Sequence, residues 1–275
     1  MLSKDIGVNM QTFNDESMIL DAFREVKTTE ILPLGNFLKC KWIHCALTGA
    51  FNRKEWINSS GKNDPPPDFY DNKHKLMMDV MRIDDTTFKN KKGKLVDLTR
   101  QKEEKLLKSY LGDNYRNERD DIHCFVVASS GLPTNEDHNF ERYFKNFERV
   151  FEEHEKKLDL YKSNHPGFKT IFFICDESSA YQQVKTAQDL KEPKEGQIIL
   201  ATPHLFCLDK KFYEIIKNSK VDYVIWFAPW KLMRYIDKDK VKLFKLPKCA
   251  IYDVKKLTYK KVVEYDHKLM VSSEE

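Results

Sequence analysis

The six cysteines are scattered singly along the chain, at Cys40, Cys45, Cys124, Cys175, Cys207 and Cys249, and no CxxC pair occurs. Structural zinc modules draw their ligands from such close pairs, so a zinc ribbon or finger is excluded. Cys124 and Cys175 lie inside apolar runs, IHCFVVA and IFFICD, which reads as buried thiols kept reduced. The sequence also lacks a GxxxxGK[ST] loop, a GxGxxG fingerprint and a GxSxG elbow, which argues against the usual triphosphate, dinucleotide and serine-hydrolase sites. No apolar run approaches the ~20 residues needed to span a bilayer. The leading MLSKDIGVNMQTFNDES has no apolar core of the signal-peptide kind. The expectation is a cytoplasmic protein with no membrane partner. Only 9 Gly and 10 Pro in 275 residues leave little room for linkers, so one domain over 1–275 is expected.

Aromatic and charged residues are plentiful. An aromatic share of 12% argues against disorder. The net charge of +4 is a small difference between 47 basic and 43 acidic side chains and marks no partner by itself. Its distribution says more: residues 231–261 hold eleven Lys/Arg against three Asp. A basic C-terminal segment of this kind neutralises phosphates or simply faces solvent. Across the overlapping stretch 227–248, Trp230, Tyr235 and Phe244 alternate with cations, a composition that also suits nucleic-acid binding.

Periodicity sets the fold class. LMMDVMRI (76–83), IHCFVVA (122–128), KTIFFICD (169–176), QIILATP (197–203) and VDYVIWFAP (221–229) are near-continuous apolar runs of strand length, the pattern of strands covered on both faces. KNKKGK (89–94) reads as a hairpin turn. A first helix carries Ile19, Phe23 and Val26, and a charged helix is expected from Arg100 to about Tyr110. The stretch from Asn36 to Trp56 suits helix or strand. Near 139–163, Phe140, Phe144, Phe147, Phe151, His154, Leu158 and Tyr161 recur at spacings of four and three, one stripe of a long amphipathic helix. Strands alternating with helices predict an α/β protein with a mixed, partly parallel central sheet flanked by helices.

Chemistry concentrates in PPPDFYDNKHKLMMDVMRIDD (65–85). Asp79 interrupts an apolar strand, where an ionised carboxylate is costly unless paired or bound to a cation. Alternation puts Asp79 on one face with Met77 and Met81. Asp68 follows three prolines eleven residues earlier. Two such carboxylates suit one Mg²⁺ or Mn²⁺, which activates water and stabilises a phosphoryl transition state.

This segment resembles the PD-(D/E)XK nuclease superfamily, in which a Pro-Asp pair leads to a strand carrying an acid, one intervening residue and a Lys. Here the pair is Pro67-Asp68 and the strand acid is Asp79. The resemblance implies a metal-dependent nuclease hydrolysing DNA or RNA, with Asp68 and Asp79 as metal ligands. The Lys position holds Met81, so Lys75 or Arg82 is left to supply the positive charge. Glu25 and Glu30 are both candidates for the Glu that the superfamily carries on a preceding helix. The competing reading is a non-enzymatic nucleic-acid- or protein-binding regulator in which Asp79 is a structural polar group.

Other candidates read as structural. Asp176, Glu177, Ser178 and Ser179 follow an apolar strand, where ligands gather in α/β sheets but where turns also need Asp and Ser. His204 and His44 are expected to be satisfied core histidines.

Overall fold

The computed structural model describes residues 16–48, 56–59, 66–97, 138–188, 201–237 and 240–272, with the backbone alone for 232–245. The strands at its centre are the apolar runs: β4 (Leu76–Ile83), β7 (Lys169–Asp176) and β10 (Tyr223–Phe227) lie side by side and parallel. Before them in the chain come β1 (Ile31–Leu34), β2 (Trp56–Asn58) and β3 (Phe69–Asp71), and β13 (Cys249–Asp253) follows. Together they make a seven-stranded mixed sheet ordered β1-β13-β10-β7-β4-β3-β2. β2, β3 and β4 form an antiparallel meander at one edge. At the other edge β13 runs antiparallel to β10 and parallel to β1.

Both faces of the sheet are covered, as continuous apolar runs require. Alternate residues sort cleanly. Met77, Met81, Phe172, Ile174, Val224 and Trp226 enter a core with helices α3 (Phe140–Glu155), α4 (Leu158–Asn164) and α5 (Lys210–Asn218). Leu76, Met78, Val80, Ile171, Phe173 and Ile225 enter the opposite core with α1 (Glu16–Arg24) and α2 (Phe37–Thr48). The ambiguous stretch from Asn36 to Trp56 is therefore a helix over Phe37–Thr48, docked through Cys40, Ile43, Ala46 and Leu47, and the last residue of the stretch opens β2.

The turn from β1 into α2 depends on Gly35, whose φ is +100°. A Cβ there would lie 2.8 Å from the Asp253 carbonyl oxygen at the end of β13. The expected long helix near 139–163 is present but bent. Asn139 caps its start by accepting from the Arg142 amide at 3.0 Å. At Lys157 the backbone departs from ideal α-helical values (φ −91°, ψ −5°), and its amide bonds back to His154 across three residues instead of four. The bend separates α3 from α4 and swings both onto the sheet.

Smaller sheets complete the chain. The hairpin around KNKKGK is present as β5 (Phe88–Lys89) and β6 (Leu95–Val96), turning at Gly93 with φ +72°. β8 (Tyr181–Val184), β9 (Ala201–Pro203) and β14 (Met270–Ser272) form an antiparallel trio. The end of the expected 197–203 strand thus joins this trio, not the central sheet. Among the described residues β11 (Leu232–Asp237) and β12 (Lys240–Lys245) pair only with each other. The strand expected at 122–128 and the helix expected at 100–110 lie outside the described residues. Among the described residues no helix is long and apolar enough to cross a membrane.

Candidate active site

The meander brings Asp68 and Asp79 together. β3 and β4 pair Phe69 with Met78 and Tyr70 with Met77, so one further step of the register sets Asp68 opposite Asp79. Directly opposed residues share a face, with Cβ atoms ~5 Å apart. The backbone before β3 is pinned for this purpose. The Ser59 amide donates to the Asp68 carbonyl at 2.8 Å, and Asn164 of α4 donates to the Pro66 carbonyl at 2.8 Å. One Asp68 carboxylate oxygen accepts the Val80 amide at 2.8 Å.

Asp79 is nearly sealed, at 4% exposure. Its Oδ2 accepts from the Tyr161 hydroxyl at 2.6 Å and from Nδ1 of His154. The bend in α3–α4 makes both contacts, because His154 stands just before it and Tyr161 just after. Holding the imidazole through Nδ1 leaves Nε2 as the acceptor nitrogen on a side chain one-fifth exposed. Burial, followed by the charge of Asp79, pushes the Asp68 carboxyl up to about 7, with the Val80 amide opposing in part. Burial and the neighbouring Asp79 charge likewise push the Tyr161 hydroxyl up, so it stays a donor. Glu16, in the first turn of α1, adds further negative charge to the surroundings of Asp68.

The two expected cations are elsewhere. Lys75 ends the turn before β4 with a left-handed backbone (φ 54°), and its ammonium lies over the Phe168 ring, 5.0 Å from the centroid. Arg82 falls on the opposite face from Asp79, as strict alternation requires, and forms a bidentate pair with Glu177 at 2.7 and 3.1 Å. Met81 is core. Of the two glutamates considered, Glu30 bonds the Lys27 amide at 3.1 Å and pairs with Lys248 at 3.0 Å. Glu25 lines a cavity of about 150 Å³ with Pro229, Trp230 and Lys248. The helix-borne acid whose charge reaches Asp68 is Glu16. Sequence reading missed it, and took His154 and Tyr161 only as part of an apolar stripe. A His and a Tyr seven residues apart in that stripe were the available signal.

The carboxyl ends of the parallel strands hold a second set of acids. Asp176 takes the Tyr143 hydroxyl at 2.6 Å, the Trp226 indole at 2.8 Å and the Lys231 ammonium at 3.3 Å. Its other oxygen closes a turn onto the Ser178 amide at 3.1 Å, the structural role expected for it. Asp85 accepts from the Ser179 amide and from the Tyr181 hydroxyl, at 3.1 and 2.6 Å. Asp176 lies level with Ile83, four residues along β4 from Asp79, so the two acids are roughly 13 Å apart. His204 is buried and bonded: it and His267 donate to the same Asp209 oxygen at 2.8 and 2.7 Å. Burial works against the charge of Asp209, but these bonds outweigh it and hold that carboxyl at about 2. His44 is only half satisfied: its Nε2 bonds the Val26 carbonyl at 2.8 Å, while its buried Nδ1 has no hydrogen-bond partner among the described residues.

Among the described residues no group of three or more His, Cys, Asp or Glu is arranged to hold a metal ion. A pair of carboxylates is still a sufficient protein contribution for Mg²⁺, which keeps several waters and takes its remaining ligands from substrate phosphate. No family model, curated protein or solved structure matches the chain.

Proposed function

We propose that this protein is a divalent-metal-dependent phosphodiesterase acting on DNA or RNA, with Asp68 and Asp79 as the metal-holding carboxylates. The observation that carries this reading is the opposed acid pair itself. Asp68 is pushed up to about 7 by burial and by Asp79, so near neutral pH it readily holds a proton that a cation could displace. A divalent cation between them would take the place of that proton, which is the fit expected of a metal site. A bound Mg²⁺ or Mn²⁺ would supply charge to the phosphoryl group and lower the pKa of a water. His154 takes the place given in the sequence to Lys75 or Arg82: oriented through Nδ1 by Asp79, its Nε2 accepts a proton at the edge of the site. Tyr161 fixes the same carboxylate oxygen.

The test is Mn²⁺ or Mg²⁺ titration by calorimetry, alongside cleavage of single- and double-stranded oligonucleotides. The parent chain should bind one ion and cleave. Asp79→Asn should lose both properties while keeping its circular dichroism spectrum. His154→Ala should bind metal but cleave ~10²-fold more slowly. Metal-dependent cleavage surviving in Asp79→Asn would sink the assignment.

A second reading, a binding protein without catalysis, draws on one specific observation. Arg82 is committed to Glu177 and Lys75 to Phe168, so neither cation is beside the acids. That reading expects no specific divalent-ion binding and unchanged nucleic-acid or protein binding in Asp68→Asn.

A further inference from the structure

One side of α2 docks on the sheet through Cys40, Ile43, Ala46 and Leu47, and the other leaves large apolar groups in solvent. Phe37 is 59% exposed, Leu38 73% and Trp42 37%. The first two are the most exposed large apolar side chains among the described residues. At roughly 100° per residue, Leu38 stands at the centre of this arc, with Lys41 and Trp42 beside it and Phe37 and Lys39 at its edges. Asn36 fixes the first turn by accepting the Lys39 amide at 3.1 Å. Residues 31–54 carry four Lys/Arg and no Asp or Glu, so the patch is both apolar and positive.

A surface of the opposite character lies between α3 and α5, a groove of about 420 Å³. Phe144 and Ile215, both half-buried, form its apolar part. Glu148, Glu152, Glu155 and Glu214 line it against a single lysine, Lys211. Glu155 accepts the Lys220 amide at 2.9 Å and Glu152 lies 3.9 Å from Lys156. Glu148 and Glu214 pair with no cation among the described residues.

Patch and groove belong to opposite faces of the sheet, so those of one chain cannot meet. Those of two chains can. Apolar groups set among lysines match an apolar floor set among glutamates in both hydrophobicity and sign. The three apolar side chains of the patch offer roughly 300 Å², short of the ~800 Å² per partner of a stable complex, so the association is weak.

We propose that the Phe37–Leu38–Trp42 patch of one copy docks in the α3–α5 groove of a second copy. The two surfaces differ, so the contact is head-to-tail, and a pair of copies still offers one patch and one groove to further copies. This goes beyond the phosphodiesterase reading and is independent of the acid pair.

The test is sedimentation velocity of the full chain from about 5 μM to about 500 μM, a range that reaches weak contacts. Average mass should rise with concentration, and raising NaCl from about 50 mM to about 500 mM should weaken the association roughly tenfold. Leu38→Asp, which breaks the patch, and the double variant Glu148→Lys/Glu214→Lys, which breaks the groove, should each stay monomeric with the parent's circular dichroism spectrum. Mixed in equal amounts, the two variants should form a dimer and nothing larger, because each keeps the half that the other has lost. A parent that stays monomeric, association that ignores salt, self-association surviving in either variant, or a mixture that stays monomeric would each overturn the proposal. So would a monomeric parent whose patch binds vesicles of anionic lipid, which would make the patch a membrane contact.

Discussion

Asp79 and Asp176 face the same core from adjacent strands, and the chain treats them differently. Each accepts a buried tyrosine hydroxyl at 2.6 Å. Asp176 adds an indole and the ammonium of Lys231, whose own charge is spread over two further oxygens and the Tyr143 ring, 4.5 Å from its centroid. Asp79 adds an imidazole and a second carboxylate. The first acid meets a cation inside its cluster, whereas the second meets another acid, Asp68, which is pushed up to about 7. Acids at the carboxyl ends of parallel strands are where ligands are usually sought, yet here those positions are occupied by the protein's own groups. The acid that faces another acid sits mid-strand, beside the meander.

Removing Lys231 should break this contrast most severely. Lys231→Met leaves Asp176 buried and unpaired, at a cost of about 3–5 kcal/mol. Thermal unfolding should then fall by more than about 6 °C, at ~2 °C or more per kcal/mol in a chain of this size. A loss under about 2 °C would mean that Tyr143 and Trp226 suffice for Asp176.

The pH dependence of stability should sharpen the contrast next. The folded pKa of Asp68 is raised, so its contribution is fully present below the ordinary carboxylate value and fades as pH rises through about 7. Melting temperature should therefore decline between pH 5 and pH 8.5, Mn²⁺ should offset the decline, and Asp68→Asn should flatten it. A parent profile already flat over that range would show the pair to be screened. The smallest effect belongs to Tyr161→Phe, which deletes one donor to a charged oxygen and should cost about 1.5–3 kcal/mol in urea unfolding. Less than 0.5 kcal/mol would mean that a water replaces the hydroxyl, as a more open pocket allows.

The central strands were legible because burial on both faces leaves a near-continuous apolar run, seen in LMMDVMRI, KTIFFICD and VDYVIWFAP. The edge was harder to read. In ILPLG, Pro33 and Gly35 read as breaks, yet ILPL is edge strand β1, where proline is tolerated, and the glycine makes the following turn. CAIYD, only five residues long, was hidden behind a lysine-rich stretch. The acid pair was half legible: the strand position of Asp79 and its lack of a local partner follow from alternation alone. Its partners His154 and Tyr161 come from 75 and 82 residues away, and Arg82 turns to Glu177 across 95. Spacing within a motif does not report such contacts.

The β1–β13 pairing has a kinetic consequence. It joins Ile31 to Cys249, a separation of 218 residues (249 − 31), and closes one side of the sheet. Contacts so distant in sequence form late, because the loop entropy must be overcome before they stabilise anything. During synthesis β4 can meet β7 long before β13 leaves the ribosome, so β1 and the open edge of β10 wait unpaired. A nascent chain arrested before Cys249 is therefore expected to expose two strand edges, the state in which such a sheet is most open to pairing with other chains.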